Sequence, residues 1–297
     1  MPRALRPRLR RPPGRAAQPR EHEADIGLGA ALLHELRIEQ AAPASGGCIH
    51  RCYAVVIAGR RRFLKANSPR QEDAFAAEAD GLRALRNAGL RAPEALAHGI
   101  AGDEAYLLLE YLELGSAGDF AALGRMLASA HRRPAPRFGW AHDNYIGSTP
   151  QKNAWCDDWA QFWLTRRWQP QLEWARGKGF NLPTIDPLPF LRNHRPQPSL
   201  LHGDLWSGNA GFTKEGPVVF DPAVYYGDRE ADLAMTELFG GFPREFYQAY
   251  NETFPLDAGY EKRKHLYNLY HLLNHLNLFG GGYLGQVNST LSLLGAL

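Results

Sequence analysis

The sequence predicts a two-lobed α+β fold, in which a small β-rich N-terminal lobe with one main helix precedes a larger, mostly α-helical C-terminal lobe. Two β-rich runs, at 52–58 and 61–66, meet across Gly59 as the arms of a hairpin do. From Asp119 onward helical periodicities dominate, at 119–132, 157–177, 228–239, 243–253 and 259–279. Between these regions stands the polar stretch Glu113-Leu-Gly-Ser-Ala-Gly, which places the hinge near 111–118.

At 297 residues and 44% hydrophobic content the chain can bury cores for about two domains, which excludes a small peptide scaffold and wholesale disorder. Even its most apolar run, LYHLLNHLNLFGGGYL from Leu269, is broken by His, Asn and Gly, so no membrane partner is expected.

Residues 1–22 read as a disordered Arg/Pro-rich tail. The first twenty hold seven Arg, five Pro and no acid, and prolines at that density prevent the amphipathic helix of a targeting peptide. Setting those seven Arg aside turns the formal charge of +3 into −4, so the folded body offers no basic face for nucleic acid. The N-terminal lobe then spans 23–112. Leu28, Leu32, Leu33 and Leu36 recur at helical intervals over 26–38, and a Ser-Gly-Gly turn at 45–47 leads into the hairpin. A helix over 71–88 closes at Gly89, and a short apolar strand covers 105–111, giving a mixed sheet with one main helix. The C-terminal lobe takes 113–297. Three cysteines, at 48, 52 and 156, lack CxxC spacing and suggest neither disulfides nor zinc; a cytoplasmic location is the expectation.

The chemistry concentrates in His202-Gly-Asp204-Leu-Trp-Ser-Gly-Asn209, followed after a turn by Val218-Val-Phe-Asp221. Protein kinases transfer phosphoryl groups with this arrangement: the loop Asp accepts the hydroxyl proton, while the Asn five residues later and a strand-end Asp hold magnesium. Magnesium takes hard oxygen ligands, and a loop lets Asn209 curl back toward Asp221. HGD alone fits any polar turn, but the combined spacing does not. ATP and Mg2+ are therefore the expected cofactors, with Asp204 as base.

A kinase small lobe needs a lysine for the α/β-phosphates, and Arg62-Phe-Leu-Lys65 on the second hairpin arm stands where it belongs. Glu78 falls within the apolar stripe of Phe75, Leu82 and Leu85 rather than on the solvent side, which points to a Lys65–Glu78 pair over a solvated acid. Gly46 and Gly47 sit where a phosphate lid approaches with its backbone N–H groups. Glu110 and Leu112 belong to the hinge whose backbone meets adenine, the alternative being an ordinary edge strand. Cys48 within the lid carries the expectation of a reactive thiol, and with it a monomer or redox-dependent homodimer.

HGDLWSGN, the following DPA, FGWAHDNYIGSTPQKN from Phe138, FGGFPREFYQAY from Phe239 and LYHLLNHLNLFGGGYL resemble the fructosamine kinase (ketosamine-3-kinase) family, from about Asp25 to the C-terminus. The resemblance implies a bilobed protein-kinase-like fold shared with aminoglycoside phosphotransferases. It also implies ATP-dependent phosphorylation of the 3-hydroxyl of ketosamines, ribulosamine or fructosamine adducts on amines or protein lysines, leading to deglycation. Asp204 as base, Asn209 and Asp221 as magnesium ligands and Lys65 with Glu78 as the phosphate-orienting pair carry over from it.

On the acceptor side, Trp206 offers a ring to stack on a sugar, or else packs its loop. Asp143 and Asn144, with Gln151, fall in the signature-like segment, where spacing alone gives them no role. His271, Asn274 and His275 share a helical face; with no zincin Glu and no third ligand they read as neutral pocket polarity, suited to hydroxyls. Gly203 and Pro222 replace the Arg of HRD and the Phe of DFG, which favours constitutive activity on a small substrate. An aminoglycoside or choline kinase of the same fold is the alternative enzyme. A pseudokinase would normally lose one of Lys65, Asp204, Asn209 or Asp221, and all four are present.

Overall fold

The computed structural model describes residues 27–44 and 49–297. The expected tail, and the lid residues Gly46, Gly47 and Cys48, lie outside the described residues. The fold is α+β and bilobed. It opens with α1 (Ala30–Glu35), shorter than the leucine pattern suggests. The reason is local: Arg37 turns left-handed at φ +51°, and the N–H groups of Arg37 and Ile38 close the helix on the carbonyls of His34 and Leu33. The chain then forms a strand that the sequence reading did not anticipate, β1 (Gln40–Pro43).

The hairpin is present as β2 (Arg51–Ile57) and β3 (Arg60–Asn67), followed by the main helix α2 (Glu72–Asn87). Gly89 at φ +89° ends α2 by donating to Arg86 O while Leu90 donates to Leu85 O, the paired bonds of a glycine-terminated helix. Two further strands follow, β4 (Ala95–Ala101) and β5 (Glu104–Glu110). The sheet runs β1-β2-β3-β5-β4 and is antiparallel throughout, not mixed. β5 is interior to it rather than an edge, and its residues alternate between two cores. Tyr106 and Leu108 join Leu32, Val55 and Leu64 on one face; Ala105, Leu107 and Leu109 join Phe75, Leu82 and Leu85 beneath α2 on the other.

After the hinge, α3 (Phe120–His131) starts at Asp119, whose carboxylate accepts from Ala122 N at 2.8 Å. A small hairpin, β6 (Asn144–Ile146) and β7 (Thr149–Gln151), precedes α4 (Trp159–Trp163). The helix expected over 157–177 is unbroken from α4 but passes through a π-helical turn at Leu164–Trp168 before α5 (Gln169–Gly177), where Pro170 enters near the N-terminus. The wider turn accommodates a residue that cannot donate its N–H. Next come α6 (Leu188–Leu191), β8 (Ser199–Leu201), β9 (Ala210–Thr213), β10 (Gly216–Val219) and β11 (Tyr225–Gly227). The remaining helices are α7 (Glu230–Leu238), α8 (Arg244–Thr253), α9 (Tyr260–Phe279) and α10 (Leu284–Ala296). One core gathers Phe162 and Trp163 of α4 with Tyr267, Leu273 and Leu276 of α9. No helix among the described residues is long and apolar enough to cross a membrane.

Candidate active site

Both lobes contribute to one cleft of about 1220 Å³. Its upper wall comes from β3, α2 and the hinge, and its floor from the loops that follow β8 and β10. Alternation along β3 puts Leu64 and Ala66 under the outer core and turns Lys65, with Phe63, toward α2. There Lys65 Nζ donates to Glu78 Oε1 at 2.7 Å and to Asp221 Oδ1 at 2.6 Å. Lys65 is 3% exposed. Burial acts against its charge, but the carboxylates of Asp221 and Glu78 outweigh burial and raise its pKa. Asp221 is held below the usual carboxylate range because Lys65 overcomes its desolvation, whereas at Glu78 burial dominates and the pKa rises.

Asp221 ends a hydrophobic run and stands at φ +57°, uncommon for a residue with a side chain. Pro222 follows it. The loop over 202–209 approaches from the other side. Asn209 donates Nδ2 to Asp204 O at 2.9 Å and to Asp204 Oδ2 at 3.3 Å, an orientation that reserves its carbonyl oxygen for another partner. With the Asp221 carboxylate this makes a hard-oxygen donor pair in the cleft, a set that fits magnesium. Burial, then the carboxylates of Asp221 and Asp232, push Asp204 up to about 7, with the Asn209 amide opposing. A carboxylate titrating there can take up a hydroxyl proton near neutral pH. Gly203 is required on steric grounds: it sits at φ +83°, and a Cβ would stand 2.0 Å from Ala223 O. The Arg of HRD has no place there.

Lys65, Glu78, Glu110, Leu112, Asn144, Asp204, Trp206, Asn209 and Asp221 all line the cleft. Asp143 is not among the lining residues; its carboxylate accepts from Lys152 Nζ and Asn153 N, both at 2.8 Å. Asn144 donates to Val224 O and accepts from both Gln151 and Asn153, so it reaches the cleft with its carbonyl oxygen doubly engaged and one amide hydrogen committed. His271 lies behind the wall, with Nδ1 at 4.0 Å from Asp204 Oδ1 and without a hydrogen-bond partner.

Sequence reasoning missed several contributors. Asp232 accepts from His202 N at 2.7 Å and Gly203 N at 2.8 Å, and pairs with His131, so it shapes the 202–209 loop from α7. Its signal was an acid set among Ala231, Leu233 and Ala234. His50 lies at the cleft beside Asn67, held down to about 4 by burial and then by the Lys65 charge. Phe239, Phe279 and Tyr283 join His275, which the sequence reading had placed in the pocket, to form an aromatic wall at the mouth. His194, Asp228 and Glu230 cluster closely enough to hold a metal. Arg263, however, grips both Glu230 oxygens at 2.7 and 2.8 Å, and Tyr267 takes Asp228, so structural pairing accounts for the cluster.

The sequence profile of the fructosamine kinase family matches residues 25–295. A probable ketoamine kinase of Synechocystis is 46% identical over 267 residues, 86% of this chain and 90% of its own length. One from Vibrio parahaemolyticus is 43% identical, covering 89% and 96%. Among solved structures, a candidate fructosamine-3-kinase from Haemophilus somnus superposes with a TM-score of 0.82 at 30% identity, over 89% of this chain and 95% of that one. An aminoglycoside phosphotransferase solved with ADP and hygromycin B gives 0.59 at 14% identity over 89% and 95%, a likeness of fold alone.

Proposed function

Because the chain belongs to the fructosamine kinase family, we propose that it transfers the γ-phosphoryl group of ATP to the 3-hydroxyl of ketosamines. The observation that supports this most is Lys65 bridging Glu78 and Asp221 in a cleft shared with Asp204 and Asn209. In this reading Lys65, fixed by Glu78, orients the α/β-phosphates, and the hinge at Glu110 and Leu112 borders adenine. Asn209 and Asp221 hold magnesium, which when bound neutralises charge on the phosphates. Asp204 accepts the proton of the acceptor hydroxyl as its oxygen bonds to phosphorus and ADP leaves.

Trp206, more than a third exposed at the cleft, offers its face to the sugar. The mouth presents rings and neutral His and Asn groups, suited to hydroxyls, where an aminoglycoside's several ammonium groups would call for carboxylates. A phosphate beside the C2 ketone is a good leaving group once the sugar enolises, and hydrolysis then frees the amine, so phosphorylation suffices for deglycation.

The test is ADP release across ribuloselysine, fructoselysine, kanamycin and choline, with phosphorus NMR of the products. Turnover of the ketosamines with a 3-phosphate resonance is expected. Efficient turnover of kanamycin or choline alone would overturn the acceptor assignment.

A further inference from the structure

The stretch from Gly139 to Asn153 touches both halves of the Lys65 cluster without contributing to it directly. Toward the small lobe, Trp140 Nε1 donates to Asp80 Oδ2 at 2.9 Å, and His142 Nε2 lies 3.4 Å from the same oxygen. Asp80 stands on α2 two residues after Glu78. The next residue, Gly81, lets α2 rest on the chain beyond Asp221: a Cβ there would come within 3.2 Å of Pro222 Cγ and 3.4 Å of the Val224 methyls. Toward the large lobe, Asn144 Nδ2 donates to Val224 O at 2.7 Å and Gln151 Nε2 to Ala223 O at 3.1 Å.

This grip is itself fixed. Gln151 Nε2 and Asn153 Nδ2 both donate to Asn144 Oδ1, Tyr270 OH donates to Gln151 Oε1, and Arg167 donates to Asn153 Oδ1 and Lys152 O. Asn144, Gln151, Asn153 and Arg167 are all buried. A network this buried is rigid when satisfied and costly to break, since each amide left unpaired costs about 1–3 kcal/mol.

We infer that this segment is an interlobe brace, with Asp80, Asn144 and Gln151 as positioning residues that hold Glu78 and Asp221 in register on Lys65. The inference rests on the kinase reading above. In kinases whose glutamate helix can move, closing the Lys–Glu pair is the step that activation controls. Here hydrogen bonds from the large lobe hold that helix, so the magnesium–nucleotide site is assembled without an external signal.

The experiment measures Mg·ADP affinity by titration calorimetry, KM for ATP and melting temperature on four variants of the full chain. Asp80→Ala, at a partly exposed helix position, and Gln151→Leu are each expected to weaken Mg·ADP binding by about tenfold, as loss of a ligand-supporting partner does. Asp80→Asn keeps an oxygen for Trp140 and is expected to restore binding. Thr236→Val removes a buried hydroxyl that bonds Leu233 O and Tyr247 OH, away from the brace, and serves as the stability control. It is expected to lower the melting temperature while Mg·ADP affinity holds. Wild-type affinity in both Asp80→Ala and Gln151→Leu, or an equal loss in Thr236→Val, would overturn the brace. Failure of the wild-type chain itself to bind Mg·ADP would overturn the kinase reading, and the brace with it.

Discussion

Asp204 and Asp221 are both carboxylates on one cleft, yet their surroundings pull their pKa values apart, and distinct phenotypes follow. Burial and two neighbouring carboxylates raise Asp204 to about 7, while the Lys65 ammonium lowers Asp221. Asp204→Ala is expected to cut kcat by about 10²–10⁴-fold, the range of a lost general base, with Mg·ADP affinity unchanged. Asp221→Ala should weaken Mg·ADP binding too. Retention of more than about a tenth of kcat in Asp204→Ala would refute the base assignment. His271 gives a second residue-level test. Burial, then the nearby His275, lowers it to about 3, whereas an unfolded imidazole titrates near 6.5. Between these values the unfolded chain binds one more proton than the folded one, so the neutral ring's stabilisation is complete above pH 6.5 and is lost as pH falls toward 3. Relative to His271→Asn, the wild type should therefore lose about 1.4 kcal/mol per pH unit from pH 6 to 4. Urea unfolding at a series of pH values reads the difference, and parallel profiles for the two proteins would refute it.

At the scale of elements, glycines separate close packing from mere flexibility. α3 and α8 approach so closely at Gly124 that a Cβ would lie 2.3 Å from Phe246 O, a backbone atom that cannot swing away. Gly124→Ala should cost about 1–3 kcal/mol through forced separation of the helices, more than the ~1 kcal/mol that alanine gains in helix propensity. Gly285 in α10 has nothing within 4 Å of its would-be Cβ, so Gly285→Ala should stabilise by up to about 1 kcal/mol. Melting curves of the pair give the answer; equal shifts of one sign would contradict this packing. β4 eluded the sequence reading for a related reason. Its residues ALAHGIA have low strand propensity, and pairing with β5 rather than local preference makes it a strand.

For the whole molecule, the decisive feature is a core that ignores the lobe boundary. Phe75 and Leu82 of α2 and Leu109 of β5 pack in the same cluster as Leu123 and Leu127 of α3, Leu233 of α7 and Phe246 of α8. The lobes should then unfold together. Far-UV circular dichroism and tryptophan fluorescence are expected to give one coincident thermal transition, which Mg·ADP at 100 times its Kd raises by about 2.7 kcal/mol of stability. Two separated transitions, one moved by nucleotide, would show that the lobes are independent. The lobed α+β organisation, the Lys65–Glu78 pair and the Asp204–Asn209–Asp221 set were legible in the sequence because each depends on short-range spacing: alternation on β3, a helical stripe on α2, a five-residue loop. Tertiary structure alone decided that Lys65 reaches Asp221 as well as Glu78, that Asp232 shapes the 202–209 loop, and that Asn144 and Gln151 clamp the chain beyond Asp221. Those bonds join residues up to 156 positions apart, and such partners are selected by how buried donors and acceptors find each other in the packed chain, not by local pattern.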